Sequence, residues 1–331
     1  MKTAILGSGS WGTALAQVLA DNGQEVIVYG KNENQVNEIN NEHRNSQFFG
    51  GLNIHPAIKA TTDMGQIMDA DVVVLAVPTQ AIEQIAKEAA GLLGHKAIFV
   101  NVAKGFNPGT DERMSEVIRR VVPEDKLSSV ISLIGPSHAE EVIERQLTSI
   151  DAIGQNPEDA KTIQKMFSND YMRIYTGDDE VGSEIGAAVK NVMAIASGII
   201  YGLGYKDNTR AALITRGLQE MIRFGTHFGA KPETFIGLTG IGDLIVTCSS
   251  QNSRNFQAGS QIGRENDVKH FLETNTKTTE GIRTARIVHD IASRENISMP
   301  ICEEVYQILY EGKEPKECAK DLMLRDLKKE F

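Results

Sequence analysis

Lys190 is the only charged residue in the 18-residue stretch 185–202. Small residues dominate around it, so the stretch reads as a helix that other backbone can approach closely, leaving the ammonium in a tight, partly dry place. Desolvation disfavours the charged form and draws a lysine's pKa down from ~10.4 toward the range useful for moving protons. Such a lysine can act as general acid or base. Alternatively its stem lies along apolar surface and its head stays in water. The helix alone leaves both readings open.

A second chemical signal stands at the N-terminus, where Gly7-Ser8-Gly9-Ser10-Trp11-Gly12 matches GxGxxG between an apolar run and a helical pattern. In such a turn Gly7 permits the tight bend, Gly9 lets backbone approach a pyrophosphate, and Gly12 lets helix and strand pack closely. The helix start then offers N–H groups to the anion. With a second strand at the expected distance, the motif points to a dinucleotide. The second strand ends Val28-Tyr29-Gly30-Lys31-Asn32, without an acid to bond a ribose 2′-hydroxyl. Lys31 can instead pair with a 2′-phosphate, so NADP (NADPH) is expected in preference to NAD, with Lys31 as an ordinary surface lysine the competing reading.

Ligands of open α/β sheets lie beyond the carboxyl ends of the strands. Lys104 and the Gly135-Pro-Ser137 turn each follow a predicted strand and are expected to line the same crevice. His138 is expected to open the next helix and is given no catalytic role.

The elements that must position these groups follow from periodicity. Strands are predicted at residues 3–6, 25–29, 72–77, 97–102, 130–134 and 150–153, and helices at 11–22, 81–93, 114–122, 138–144 and 158–167. Their alternation predicts a parallel, doubly wound Rossmann-type α/β domain over 1–179. From there long helical patterns take over, at 180–203, 210–228, 281–295 and 301–310, predicting an all-α substrate domain over 180–331. No linker intervenes, so the domains are expected to pack directly, with the active site in their cleft.

Composition narrows the partners. The 331 residues carry a net charge of −10, 41% hydrophobic and 24% charged side chains, which argues against general attraction to nucleic acid. Cys248, Cys302 and Cys318 have neither disulfide-framework nor metal spacing, so no metal is expected and a cytoplasmic setting is. The uncharged apolar run 192–204 is shorter than the ~20 residues that cross a bilayer, so no membrane span is predicted. These cysteines and Ser197 have no base beside them and read as packing residues.

Four stretches are more particular: Ala188-Val-Lys-Asn-Val192, Asn208-Thr-Arg-Ala-Ala-Leu-Ile-Thr-Arg-Gly217, Gly240-Ile-Gly-Asp-Leu-Ile-Val-Thr-Cys248 and Ser253-Arg-Asn255. Together with the glycine motif they resemble the bacterial-type NAD(P)-dependent glycerol-3-phosphate dehydrogenase family, over essentially the whole chain. The resemblance implies reversible hydride transfer between the nicotinamide and C2 of dihydroxyacetone phosphate or sn-glycerol 3-phosphate, for phospholipid synthesis. It implies that Lys190 exchanges a proton with the C2 oxygen, that Asp243 orients it, and that Lys104 stabilises charge on that oxygen. Ser253, Arg254 and Asn255 match the family's phosphate and substrate motif, suiting arginine's planar fork. Lys104, Gly135 and Ser137 match further substrate contacts, and Ser10, Trp11, Lys104, Ala139, Arg254, Thr278 and Glu280 match cofactor contacts.

Phe48-Phe49-Gly50-Gly51 stands where the family usually has Tyr-Leu-Pro-Gly. Arg210 and Thr215 are second-tier site candidates, and Arg210 and Arg216 also read as ion-pair partners. A homodimer formed through the helical domain is expected. Two alternatives stay open at this level: a hydroxyacid dehydrogenase of the same architecture, and a non-catalytic nicotinamide sensor.

Overall fold

The computed structural model describes residues 1–275, 279–327 and 329–330. The chain divides into two compact units, Met1–Glu184 and Ile185–Phe331.

In the first unit, β1 (Lys2–Leu6), β2 (Glu25–Tyr29), β3 (Lys59–Thr61), β4 (Val72–Leu75), β5 (Ala97–Asn101), β6 (Leu127–Ile134), β7 (Thr148–Gly154) and β8 (Met172–Gly177) form one sheet in the order β3-β2-β1-β4-β5-β6-β7-β8. Alternate residues of the strands enter different cores. Ile5, Val28, Val74 and Val100 pack with Leu15, Leu19, Ile163 and Phe167 on one face. Ala4, Leu6, Val73 and Phe99 pack with Ile82, Ala86, Val117 and Ile118 on the other. A sheet covered on both faces needs strands that are apolar throughout, which is why these read as unbroken Val/Ile/Leu runs.

The predicted parallel, doubly wound sheet is observed with one departure, because β6 and β7 pair antiparallel. β6 has eight residues and spans ~26 Å, whereas the helix that follows it, Ala139–Ile143, has five and rises only ~8 Å. That helix is too short to carry the chain back to the start of β6, and the next strand therefore returns alongside it. β7 and β8 are parallel again, joined through the eleven-residue helix Pro157–Phe167.

The chain winds outward from β1 in both directions, to β2 and to β4. This is the topological switch point, and the glycine motif lies at its carboxyl end, where doubly wound sheets bind ligands. α1 (Ser10–Asp21) follows directly, and α2 (Glu33–Glu42) follows β2.

The second unit is helical in all its described elements. The helix Glu180–Gly202 is long and apolar enough to cross a membrane by length and composition alone, yet 89% of its apolar window is buried within the protein. It is a core helix, and its small residues explain how it packs. A Cβ on Gly198 would stand 2.2 Å from the Phe256 carbonyl oxygen, and one on Gly259 would stand 2.0 Å from that of Ile195. The helix Arg254–Glu265 therefore crosses it backbone against backbone.

Candidate active site

The loop after β1 is shaped by what its glycines lack. Gly7 has φ +125° and a Cβ there would meet the Ala76 carbonyl oxygen at 2.3 Å; on Gly12 it would meet Gly7 O at 2.0 Å. Gly9 differs, because nothing stands within 4 Å of where its side chain would begin. The backbone there is open to a ligand at the N-terminus of α1, whose first turn contains no acid. Beside it the buried indole Nε1 of Trp11 has no hydrogen-bond partner in the described protein, and a buried donor of this kind ordinarily has one. Lys31 is exposed at the end of β2, just before Asn32 caps α2. An open glycine cradle, a helix start and an unused donor fit a dinucleotide pyrophosphate.

Lys104 and the 135–137 turn come together because β5 and β6, which they follow, are paired and parallel. Lys104 Nζ donates to Gly135 O at 2.7 Å, and Ser137 Oγ donates to the same oxygen at 3.1 Å. Ala139 is buried at the first turn of the next helix, with His138 in its cap position. These strand ends are held from within by Glu184. It accepts bonds from Ser115 Oγ at 2.7 Å, Ser132 Oγ at 2.7 Å and Arg113 at 3.1 Å. Burial pushes the Glu184 carboxyl above its ordinary pKa, and Arg113 opposes that rise.

The second unit gathers the remaining polar groups. Lys190 Nζ donates to Asp243 Oδ1 at 2.8 Å and to Thr247 Oγ1 at 2.7 Å, with only 5% of the lysine side chain exposed. The snorkelling alternative is thereby excluded. Thr247 is one turn beyond Asp243 and donates its own hydroxyl proton to Asp243 O at 2.6 Å. Beside Lys190, Asn191 Oδ1 accepts from Asn255 Nδ2 at 2.9 Å, and Asn255 Oδ1 accepts from Gly281 N at 3.0 Å. One amide thus ties the lysine's neighbour to the residue after Glu280, at the start of the helix Glu280–Glu295. Ser253 caps the next helix through Phe256 N at 3.2 Å, leaving Arg254 exposed at its first position.

A buried ammonium oriented by a carboxylate and a hydroxyl, with an amide and a guanidinium on the neighbouring helix start, is suited to protonating an oxygen on an anionic substrate. Comparison with known proteins identifies the family. A family model described as NAD-dependent glycerol-3-phosphate dehydrogenase N-terminus matches residues 2–160, and its C-terminus counterpart matches 179–320. The chain belongs to the NAD-dependent glycerol-3-phosphate dehydrogenase family. It is 46% identical over 330 residues to glycerol-3-phosphate dehydrogenase [NAD(P)+] of Enterococcus faecalis, covering 99% of this chain and 97% of that one. It is 45% identical to the Lactobacillus helveticus protein of the same name, covering 100% and 99%. Among solved structures, the glycerol-3-phosphate dehydrogenase of Coxiella burnetii superposes with a TM-score of 0.91 at 33% identity, covering 98% and 99%.

Within this family framework the structure brings Gly7, Gly9, Ser10, Trp11 and Gly12 together at one strand end, Lys104 with Gly135 and Ser137 at a second, and Lys190 with Asp243 in the helical unit. Thr278 lies outside the described residues. Thr247 and Asn191 were given no role from sequence, although both lie inside the quoted motifs; Thr247 was legible as the i+4 partner of Asp243 on one helix face. Of the second-tier candidates, Arg210 pairs with Asp207 at 2.7 Å and the exposed Thr215 donates its hydroxyl to Ala211 O at 2.9 Å; Arg216 pairs with Glu330, so both arginines act as ion-pair partners. Ser197 is buried and donates to Cys248 O at 2.8 Å, a packing role.

Proposed function

We propose that the protein is an NAD(P)-dependent sn-glycerol-3-phosphate dehydrogenase that reduces dihydroxyacetone phosphate to glycerol 3-phosphate, with NADPH preferred, in support of phospholipid synthesis. The observation that carries this reading is the buried Lys190 ammonium, aligned by Asp243 and Thr247. A nicotinamide sensor has no use for such a group, since its burial is costly unless it is paired and put to work.

The nicotinamide, when bound, supplies two-electron chemistry at C2. Lys190 gives the proton that the developing C2 alkoxide needs and takes it back in the reverse direction. Asp243 fixes the ammonium's direction, and Thr247 occupies a second of its three donors. Lys104 adds positive charge for the same oxygen, with Gly135 and Ser137 as neighbouring substrate contacts. Arg254 grips the phosphate with its planar fork, aided by Ser253 and Asn255. Gly7, Gly9, Ser10, Trp11 and Gly12 hold the pyrophosphate side of the cofactor, Lys31 its 2′-phosphate, and Ala139, Arg254 and Glu280 its remaining contacts.

Purified protein mixed with dihydroxyacetone phosphate should consume NADPH faster than NADH, followed at 340 nm. Loss of that reaction, with carboxylated 2-oxo substrates turned over instead, would replace this substrate assignment. We further propose a homodimer formed through the helical unit, which sedimentation as a monomer alone would overturn. A cytoplasmic setting is supported by Cys248, Cys302 and Cys318, all buried free thiols.

A further inference from the structure

The carbonyl of Ser8, between the first two glycines of the dinucleotide loop, accepts three side-chain hydrogen bonds. Gln35 Nε2 donates at 2.9 Å, Asn45 Nδ2 at 3.0 Å and Thr13 Oγ1 at 3.4 Å. The two amides are also joined to each other, Gln35 Nε2 donating to Asn45 Oδ1 at 3.0 Å, and Asn45 Nδ2 reaches Thr13 Oγ1 at 2.8 Å. The Ser8 hydroxyl closes the cluster by donating to Gln35 Oε1 at 2.5 Å. It has room to do so because residue 30 is glycine, whose missing Cβ would have stood 2.3 Å from that oxygen. Asn45 is 0% exposed and Gln35 8%. Burying two primary amides beside an apolar core costs free energy unless each is satisfied, and here both are spent largely on one carbonyl.

We propose that Gln35 and Asn45 are positioning residues for the cofactor pyrophosphate, acting through the Ser8–Gly9 peptide. That peptide is trans and planar, so the Gly9 N–H points opposite to Ser8 O. With the carbonyl turned inward to the two amides, the N–H is turned away from them, beside the open face of Gly9. A glycine here admits the phosphate closely, and it would equally let the 8–9 peptide rotate, since no Cβ restrains it. The buried amides remove that freedom before the ligand arrives, and a donor fixed in advance binds with less loss on ordering. Both residues lie outside the glycine motif, Gln35 in the first turn of α2 and Asn45 just after that helix.

The proposal rests on the dehydrogenase reading, and the wild-type titration separates the two. Wild-type protein that binds no NADPH would overturn both; wild-type binding with unaffected variants would overturn this proposal alone. Gln35→Met and Asn45→Ala are titrated with NADPH, with 2′-phospho-ADP-ribose, which has the pyrophosphate, and with adenosine 2′-monophosphate, which lacks it. Expected are losses of about tenfold or more for the two pyrophosphate ligands and changes within about twofold for the monophosphate. In turnover, KM for NADPH should rise with kcat and KM for dihydroxyacetone phosphate nearly unchanged. Equal losses for all three ligands would indicate a merely structural role and overturn the proposal. Where neither variant folds, the wild-type complex with NADPH decides. Gly9 N within about 3.2 Å of a pyrophosphate oxygen, with Ser8 O still held by both amides, supports it. A pyrophosphate away from Gly9, or a rotated 8–9 peptide, overturns it.

Discussion

The Lys190 ammonium lies 2.8 Å from the Asp243 carboxylate, and the two side chains are 5% and 1% exposed. Removing one partner of so buried a pair leaves an uncompensated charge, at a cost of about 3–5 kcal/mol. Catalytic and structural effects of a lysine substitution must therefore be separated. Lys190→Met should lower both thermal stability and turnover, the latter by about 10²–10⁴-fold, as loss of a general acid does. Adding Asp243→Asn should restore part of the stability and none of the turnover, with NADPH affinity changed less than about twofold. Steady-state rates, thermal denaturation and a fluorescence titration check the three statements, and preserved turnover would remove Lys190 from the mechanism.

Lys31 is exposed at the end of β2, and under the proposed preference for NADPH it is the side chain that pairs with the 2′-phosphate. Lys31→Ala should raise KM for NADPH about tenfold, close to 1.4 kcal/mol, and leave KM for NADH within about twofold. The NADPH effect should shrink at high salt, because an exposed charge is screened. Equal changes for both cofactors would discard Lys31 as the selector.

What was legible in the sequence was whatever depended on local pattern. β1, β2 and β5 are buried on both faces, so their apolar runs announce them, and Gly7 and Gly12 occupy spacings that the close turn demands. β3 escaped because Lys59-Ala-Thr61 is three residues with no apolar run. β8 escaped because, as an edge strand, it buries only alternate residues such as Met172 and Ile174, and its polar half masks the pattern. The direction of β7 depends on how far a five-residue helix can travel, a three-dimensional constraint that strand and helix alternation does not encode. The same holds at the site. Lys190 stood out as a lone charge, whereas Gln35 and Asn45 look like ordinary surface amides until the fold closes them over Ser8.

The crossing of helices Glu180–Gly202 and Arg254–Glu265 links stability to the placement of Arg254 and Asn255. Gly198→Ala puts a methyl group 2.2 Å from Phe256 O and 2.8 Å from Ser260 N, both backbone atoms that no rotamer change can move. The helices must separate, at about 1–3 kcal/mol for an overpacked site. Gly198→Ala should therefore lower Tm and also raise KM for dihydroxyacetone phosphate, because Arg254 opens the displaced helix. Gly204→Ala is a poor control, since φ there is +87°. Gly91→Ala is a better one, with nothing within 4 Å and no unusual backbone, and both Tm and KM should stay near wild type.

Glu220 predicts a pH dependence remote from the chemistry. Its carboxyl is 3% exposed and accepts from Ile301 N at 2.7 Å and Cys302 N at 3.2 Å, closing the start of the helix Pro300–Tyr306. Burial pushes its pKa up to about 7 from an ordinary 4.5, against the pull of those two N–H groups and of Arg223 and Arg325. A raised folded-state pKa means that the native protein holds this proton more tightly than the unfolded chain. The stabilisation is full below about pH 4.5 and is lost as pH rises through about 7, with an upper limit of about 3 kcal/mol. Glu220→Gln cannot ionise, so its stability relative to wild type should improve steadily between pH 5 and about pH 8. Urea denaturation of both proteins across that range measures the difference. A difference that does not vary with pH would mean that Glu220 titrates in the folded protein as it does in the unfolded chain, and that the helix start it closes holds it ionised despite burial.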